Sequence, residues 1–441
     1  MACGLENICE RLFHVSTAGS TPKTECVAGL TTFMAMCYLV FVVPAMLADA
    51  GMPRQDAVCA VIWITVLATL LMGFWAKFPV GVAPGLGISA FFAYYICGPA
   101  GYTWQTGLGA VFISGVVFLL LTITRVRQMI IDAVPLDLKY AIIVGIGAFI
   151  AFIGMKNCGL IVANPSTFVA LGNLDSVSPL LALLGVAITG ILMARNVTGA
   201  IILGIVIISA TGFGLGLVHL PEGGIFLTGS VFPARLFMQL DIAGALSHGL
   251  FSIIFTLTMV DLFDNMGVLI ALAQKAGFVQ PDGHIRNLDK ALMADSIATM
   301  GSAALGCTTA TSYLEAATGV AAGGRTGLTA VVIAMLFFLA LFISPLLAMI
   351  PAFATAPALI VVGALMMQEA AQINFKDFTV ALPAFLTIIT MPLTFNIATG
   401  FGFGFISYVV IKAGCGRFRE VSPFMCAIAV CFAVNFALRL Q

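Results

Sequence analysis

Blocks of about 20 apolar residues, each long enough to cross a bilayer, recur along the whole 441-residue chain. In hydrocarbon every backbone N–H and C=O must be satisfied within the protein. That leaves helices and closed barrels, and runs of this length select helices. Only 9% of the residues are charged, against about 25% in soluble domains. The expected fold is therefore an all-α polytopic membrane protein. Segments 1 to 14 are placed at 27–51, 55–76, 79–97, 105–124, 139–162, 177–194, 197–218, 243–272, 291–306, 307–322, 327–350, 354–370, 379–395 and 397–412. A further apolar stretch, 422–440, either spans or lies against the bundle.

With 19 basic and 19 acidic residues the net charge is zero, so nothing points to nucleic acid, and the lipid bilayer is the expected surrounding. The start, Met1 to Lys23, is polar and mixed in charge, and no cleavable signal peptide is expected. A cytoplasmic N-terminus places Lys23, Lys77, Arg125, Arg127, Arg325 and Lys412, with most other basic residues, in inner loops. Only Arg54, Lys156 and Arg235 fall clearly outside, as the positive-inside rule expects of a correct segment count. The 11 cysteines form no C-x-x-C pair and are expected to be small buried hydrophobes, with no metal site.

The halves echo each other. Ile142-Ile143-Val144-Gly145 in segment 5 resembles Ile360-Val361-Val362-Gly363 in segment 12, and Thr198-Gly199 at segment 7 resembles Thr399-Gly400 at segment 14. Seven spans per half make the second half inverted relative to the first. Segment 3 is interrupted by Pro84, Gly85 and Gly87, and segment 10 by a Thr/Ser run with glycines. Broken segments at matching places in inverted halves point to a transport site at the bilayer midplane.

Three carboxylates lie inside these apolar segments: Asp261 and Asp264 in segment 8, three residues apart and so on one helical face, and Glu315 in segment 10. A charge at the bilayer centre costs at least about 2.5–3.5 kcal/mol, so such residues usually face a protein interior and mark a substrate or proton path. No lysine or arginine occurs nearby in segments 3, 8 or 10, so the acids are expected to lack a cationic partner. Asp295 in segment 9 and His248 early in segment 8 are weaker candidates. After the break in segment 3, Ser89, Ala90, Phe91 and Phe92 offer a hydroxyl and stacking faces for a planar ligand. Before Glu315, Thr308, Thr309, Thr311 and Ser312 either bond back to their own helix or line a second half-broken segment. Gly323-Gly324-Arg325-Thr326-Gly327 lacks the spacing and lysine of a phosphate loop and reads as a link to segment 11.

At these stretches the chain resembles the nucleobase–cation symporter family 2, in its branch of adenine, guanine and hypoxanthine permeases. The resemblance covers nearly the whole chain. It includes GSTPKTECVAGLTTFMAMCYLVFVVPAML from Gly19, SYLEAATGVAAGGRTGLTA from Ser312 and ATAPALIVVGALMM from Ala354. It implies fourteen spans in two inverted seven-span repeats, 27–218 and 243–412, between an N-terminal stretch 1–26 and a tail 413–441. It further implies a core domain (27–124 and 243–350), a gate domain (125–218 and 351–412), and a proton-coupled, elevator-type carrier, often a homodimer. Carried over position by position, the family's segment 8 acids fall on Asp261 and Asp264 and its segment 10 glutamate on Glu315, beside the backbone of Ser312 to Leu314. The chain departs from the branch at Ser89, at Asn265-Met266 and at Thr399, where Asn, Thr or Ser, and an acid respectively are common.

The expected function is uptake of a purine base across the cytoplasmic membrane, with a proton as coupling ion and no other cofactor. Glu315 would take one purine edge, and Asp264 the opposite edge or the proton, with Asp261 tuning it. Phe91 or Phe92 would stack on the ring. Alternatives on the same fold are a pyrimidine, xanthine or inorganic anion carrier, though acids in the pocket repel an anion. A Mg²⁺-dependent prenyl transferase would need further acidic motifs, and an aspartyl protease a second Asp in a G-x-G-D setting. Neither occurs in the sequence.

Overall fold

The computed structural model describes residues 10–124, 126–218, 231–247, 250–279 and 285–439. Each of the fourteen expected segments corresponds to a helix or a half-helix. Among the described residues, nine helices are long and apolar enough to cross a membrane, and Ala200–Gly214 and Phe378–Thr394 supply the shorter segments 7 and 13. Four short strands interrupt the helices: β1 (Val82–Pro84), β2 (Ile161–Asn164), β3 (Phe168–Leu171) and β4 (Ala310–Ser312).

The boundaries move for local reasons. Segment 1 starts at Pro22, where Thr21 accepts from the Thr24 N–H and Pro occupies the first helical position. Segment 5 ends at Asn157, earlier than expected, and the chain turns at Gly159 (φ 76°) into a β2–β3 hairpin. Segment 8 comprises a short helix, Ile242–Ser247, and a long one, Phe251–Lys275. His248 lies outside the described residues, as does Arg125. The 422–440 stretch forms helix Pro423–Arg439, which packs on segment 14 with Phe432 between Phe401, Phe405 and Phe255. No disulfide joins the described cysteines, and Cys37, Cys59, Cys158 and Cys307 are buried.

Segment 9 packs against segments 2 and 4, segment 11 against segments 1 and 2, and the half-helix of segment 10 against segment 1. Segment 12 packs against segments 5, 6 and 7, and segment 13 against segments 5 and 14. The repeat is visible at atomic scale. A Cβ on Gly204 would stand 2.0 Å from Thr189 Oγ1, and one on Gly404 would stand 2.0 Å from Thr387 Oγ1. Equivalent glycines thus let segment 7 close on segment 6 and segment 14 close on segment 13.

Two basic residues expected in loops are buried. Lys412 ends segment 14 and donates to Glu420 at 2.8 Å, and Arg127 enters the bundle from the linker helix Val126–Ala133. Glu25, counted with the polar N-terminal stretch, is also buried. Its carboxylate accepts from the N–H groups of Arg325 (2.9 Å), Thr326 (3.2 Å) and Thr329 (3.3 Å) and from Thr329 Oγ1 (2.5 Å). A side chain of segment 1 therefore caps the N-terminus of segment 11.

Candidate functional site

Segments 3 and 10 are both unwound where they meet. Strands β1 and β4 pair antiparallel, with Val82 opposite Ser312, Ala83 opposite Thr311 and Pro84 opposite Ala310. Gly85 N–H donates to Thr309 O (2.9 Å) and Tyr313 N–H to Gly81 O (3.1 Å), which extends the ladder at each end. Pro84 and the flanking glycines make helix unfavourable in segment 3, and the freed backbone finds partners in the other half of the chain. The outer edge of β1 is closed by segment 2, where Thr69 Oγ1 bonds both the N–H and the C=O of Val82 at 3.0 Å. The outer edge of β4 is closed by segments 8 and 9: Asn265 Oδ1 accepts from Ser312 N–H (3.3 Å), and Thr299 Oγ1 donates to Ala310 O (3.2 Å). Ser302 donates to Thr308 O, and Tyr313 to Pro84 O. The Thr/Ser run of segment 10 is thus extended and serves the crossing, and does not bond back along a helix.

Half-helices Leu86–Phe91 and Ala316–Ala321 lead away from this crossing. Glu315 stands at the start of the second, but its carboxylate accepts from Tyr38 OH at 2.6 Å and does not cap the helix. Asp264 lies on segment 8, which packs against β4 and against the half-helix that Glu315 opens, so both acids belong to the elements that form the crossing. Asp264 and Glu315 are half-buried and Leu314 is exposed, whereas Ser89, Ala90, Thr311 and Ser312 are buried. Ser89 shares a 2.6 Å hydrogen bond with Thr308, tying segment 3 to segment 10. Asp261 is fully buried, and its Oδ2 lies 3.4 Å from Thr299 Oγ1, sharing with Ala310 O the one proton of that hydroxyl. Among the described residues, Asp261 Oδ1, Asn265 Nδ2, Thr309 Oγ1 and Ser312 Oγ have no hydrogen-bond partner, an uncommon state for buried polar atoms outside functional sites.

The two aromatic residues after the break are buried: Phe91 stacks on Tyr95 (5.1 Å, 10°), and Phe92 packs against Gly107. One expectation needs correction: a cation does reach the buried acids of segments 8 and 9. Arg127 Nη2 stands 3.9 Å from Asp295 Oδ2, with both side chains buried, and the helix that bears it packs against segment 8. Segments 3, 8 and 10 indeed hold no such cation. It arrives from the linker after segment 4, whose sequence reads as a loop. Tyr38 and Thr299 also belong to the site. Their only sequence signal was a polar group in an apolar run.

Chemically, the crossing and the helix packed on it present two carboxylates, an amide and several hydroxyls within an apolar bundle. Such a site can hold a small neutral molecule with N–H and ring-nitrogen edges, and it can bind or release a proton.

A permease family model, Xan_ur_permease, matches residues 23–403. The adenine permease AdeP of Escherichia coli is 42% identical over 98% of this chain and 96% of its own length. The guanine/hypoxanthine permease PbuO of Bacillus subtilis is 40% identical over 96% of this chain and 99% of its own. In structure, the transmembrane domain of the cyanobacterial bicarbonate transporter BicA matches with TM-score 0.63 at 17% identity, covering 86% of this chain and 97% of that one. The inverted-repeat fold is thus common to both.

Proposed function

Because the chain belongs to the permease family matched over residues 23–403, we propose that this multi-pass membrane protein imports purine nucleobases through the cytoplasmic membrane, coupled to protons. The observation that carries the reading is the antiparallel crossing of two broken segments, with Glu315 held beside it by Tyr38 and Asp264 on the segment 8 helix packed against it. Relatives named for adenine and for guanine/hypoxanthine are about equally similar over nearly the full chain, which supports the purine class without choosing the base.

A purine offers donors and acceptors along its flat edges. Glu315, held by Tyr38, accepts from a ring N–H. Asp264 serves the opposite edge or carries the coupling proton, with Asp261 behind it. Ser89, Thr311, Ser312 and the Leu314 backbone complete the floor of the site. The substrate is neutral, since the acids would repel an anion and Arg127 is engaged by Asp295.

Movement follows the packing. Segments 1–4 and 8–11 act as the core that carries the site, and segments 5–7 and 12–14 as the gate against which it slides, with the N-terminus in the cytoplasm. The preference of segments 9, 10 and 11 for segments 1, 2 and 4, and of segments 12 and 13 for segments 5, 6, 7 and 14, supports that division. The broken pair travels with the core and presents the site to either side of the membrane.

The test is uptake of labelled adenine and hypoxanthine by cells that lack their own purine permeases, with unlabelled bases as competitors. Accumulation should collapse with a protonophore and survive replacement of sodium. Absence of uptake for every purine would overturn the substrate class, and dependence on sodium would overturn proton coupling.

A further inference from the structure

Purine recognition makes no use of the guanidinium that reaches the acids from the linker between segments 4 and 5. Arg127 lies on helix Val126–Ala133, yet its side chain is enclosed by segments 4, 8 and 9. Its Nη1 donates to Thr122 Oγ1 and to Leu292 O, both at 3.4 Å, and its Cζ sits 3.9 Å from the centre of the Phe118 ring. Nη2 is 3.9 Å from Asp295 Oδ2, too far for a hydrogen bond. Among the described residues, Nε and Nη2 of Arg127, both carboxylate oxygens of Asp295 and Asp261 Oδ1 find no hydrogen-bond partner.

A guanidinium stays charged, and a buried charge without compensation is costly. One cation stands against two carboxylates, Asp295 and Asp261. The cluster is neutral only when one carboxyl holds a proton. Arg127 pairs with Asp295 and makes no ion pair with Asp261, whose Oδ1 has no hydrogen-bond partner among the described residues, which leaves Asp261 as the group whose proton can come and go. Asp261 adjoins Asp264 on the same helical face and so connects this cluster to the crossing.

We infer that Arg127 is a positioning residue for transport: the linker's cation is the fixed counter-charge against which Asp261 takes and releases the coupling proton. The arrangement ties that proton to the placement of the helix joining segment 4 to segment 5. It rests on the proton-coupling reading above.

Among the described residues, the charged groups around Asp261 are Asp295 from segment 9, Arg127 from the linker and Asp264 from its own helix. Glu315 and Tyr313 of segment 10 reach Asp264. Segment 4 (Trp104–Ile123) and half-helix Leu86–Phe91 bring no ionisable side chain. Tyr408 and Lys412 of segment 14 and Asp137 of segment 5 group with Asp377 and Glu420 instead.

The experiment is the pH profile of purine uptake for Arg127→Gln, Asp295→Asn, the double variant and Arg127→Lys, each normalised to surface protein. Loss of the cation should move the limb that falls with rising pH upward by about one pH unit, since the proton is then held more tightly. Asp295→Asn should move it downward by a similar amount. The double variant should return towards the wild type, and Arg127→Lys should keep the wild-type limb at reduced rate. A purely structural role would lower rate or surface level in every variant without opposed shifts, and that result would overturn the inference. A wild-type profile with no proton-dependent limb would overturn the coupling reading and this inference together. A normal wild-type limb with unmoved variants would overturn this inference alone.

Discussion

Glu315→Gln removes one charge at the crossing and little else. Tyr38 donates to Glu315 Oε1 at 2.6 Å, and the glutamine carbonyl can keep that bond while its amide nitrogen takes the place of the other oxygen. A guanine or hypoxanthine N1–H then meets a donor where it met a charged acceptor. A hydrogen bond to a charged group contributes about 1.5–3 kcal/mol, and a buried donor left unpaired costs about 1–3 kcal/mol. These overlap, so the expected loss is about 3 kcal/mol, roughly 100-fold in Kd at 1.4 kcal/mol per tenfold. Adenine, whose N1 accepts, should lose far less. Tyr38→Phe keeps the charge and removes only its donor, with an expected loss of about 1 kcal/mol. Saturation binding of labelled hypoxanthine to detergent-purified protein reads these values, with thermal unfolding of the same preparations as the control for folding. A hypoxanthine Kd within about threefold of the wild type for Glu315→Gln would refute Glu315 as the partner of the base.

Other outcomes follow from packing and from the charged groups outside the membrane. Glu25→Ala leaves the N–H groups of Arg325, Thr326 and Thr329 without their acceptor and should cost about 2–5 kcal/mol. A thiol-reactive dye reporting on buried Cys37, Cys59 and Cys307 should show a lower melting temperature, and an unchanged one would count against the cap. Gly404→Ala should destabilise by about 1–3 kcal/mol by driving a methyl into Thr387, and the Gly404→Ala/Thr387→Ala pair should recover most of that in the same melt. Arg417 and Lys412 hydrogen-bond Glu420 and pull its carboxyl down to about 2, while Thr379 and Arg417 hold Asp377 well below the usual range. The clamp is therefore complete above the ordinary carboxylate range of about 4 and is lost only as pH falls towards the lowered values. Lys412→Gln should then leave the profile of uptake between about pH 5 and 8 unchanged in form.

Much of the site was legible because it violates the surrounding pattern. Asp261, Asp264 and Glu315 stand out as charges in apolar sequence, and Pro84 with its glycines announces a break in segment 3. What the breaks do was less visible: a strand of three residues is stable only against a partner more than half the chain away, and the Thr308–Ser312 run alone reads equally as helix. Arg127 was missed because burial is a tertiary property. The Arg125-Val126-Arg127 stretch looks like an inner loop, and nothing local separates a solvated arginine from an enclosed one. Aromatic residues beside a break suit stacking on a ligand and packing equally well, and the neighbours Tyr95 and Gly107 could not be read from the local sequence.

The β1–β4 ladder also bears on how the protein is made. The ribosome releases segment 3 long before segment 10 exists, so the Val82–Pro84 backbone lacks its partner while most of the chain is still being translated. Unpaired amides have no stable place among lipid tails. The early product must keep that stretch near water or against the insertion machinery until Ala310–Ser312 emerges. Truncation before segment 10 should therefore yield a species open to quality-control proteases, however apolar its remaining helices.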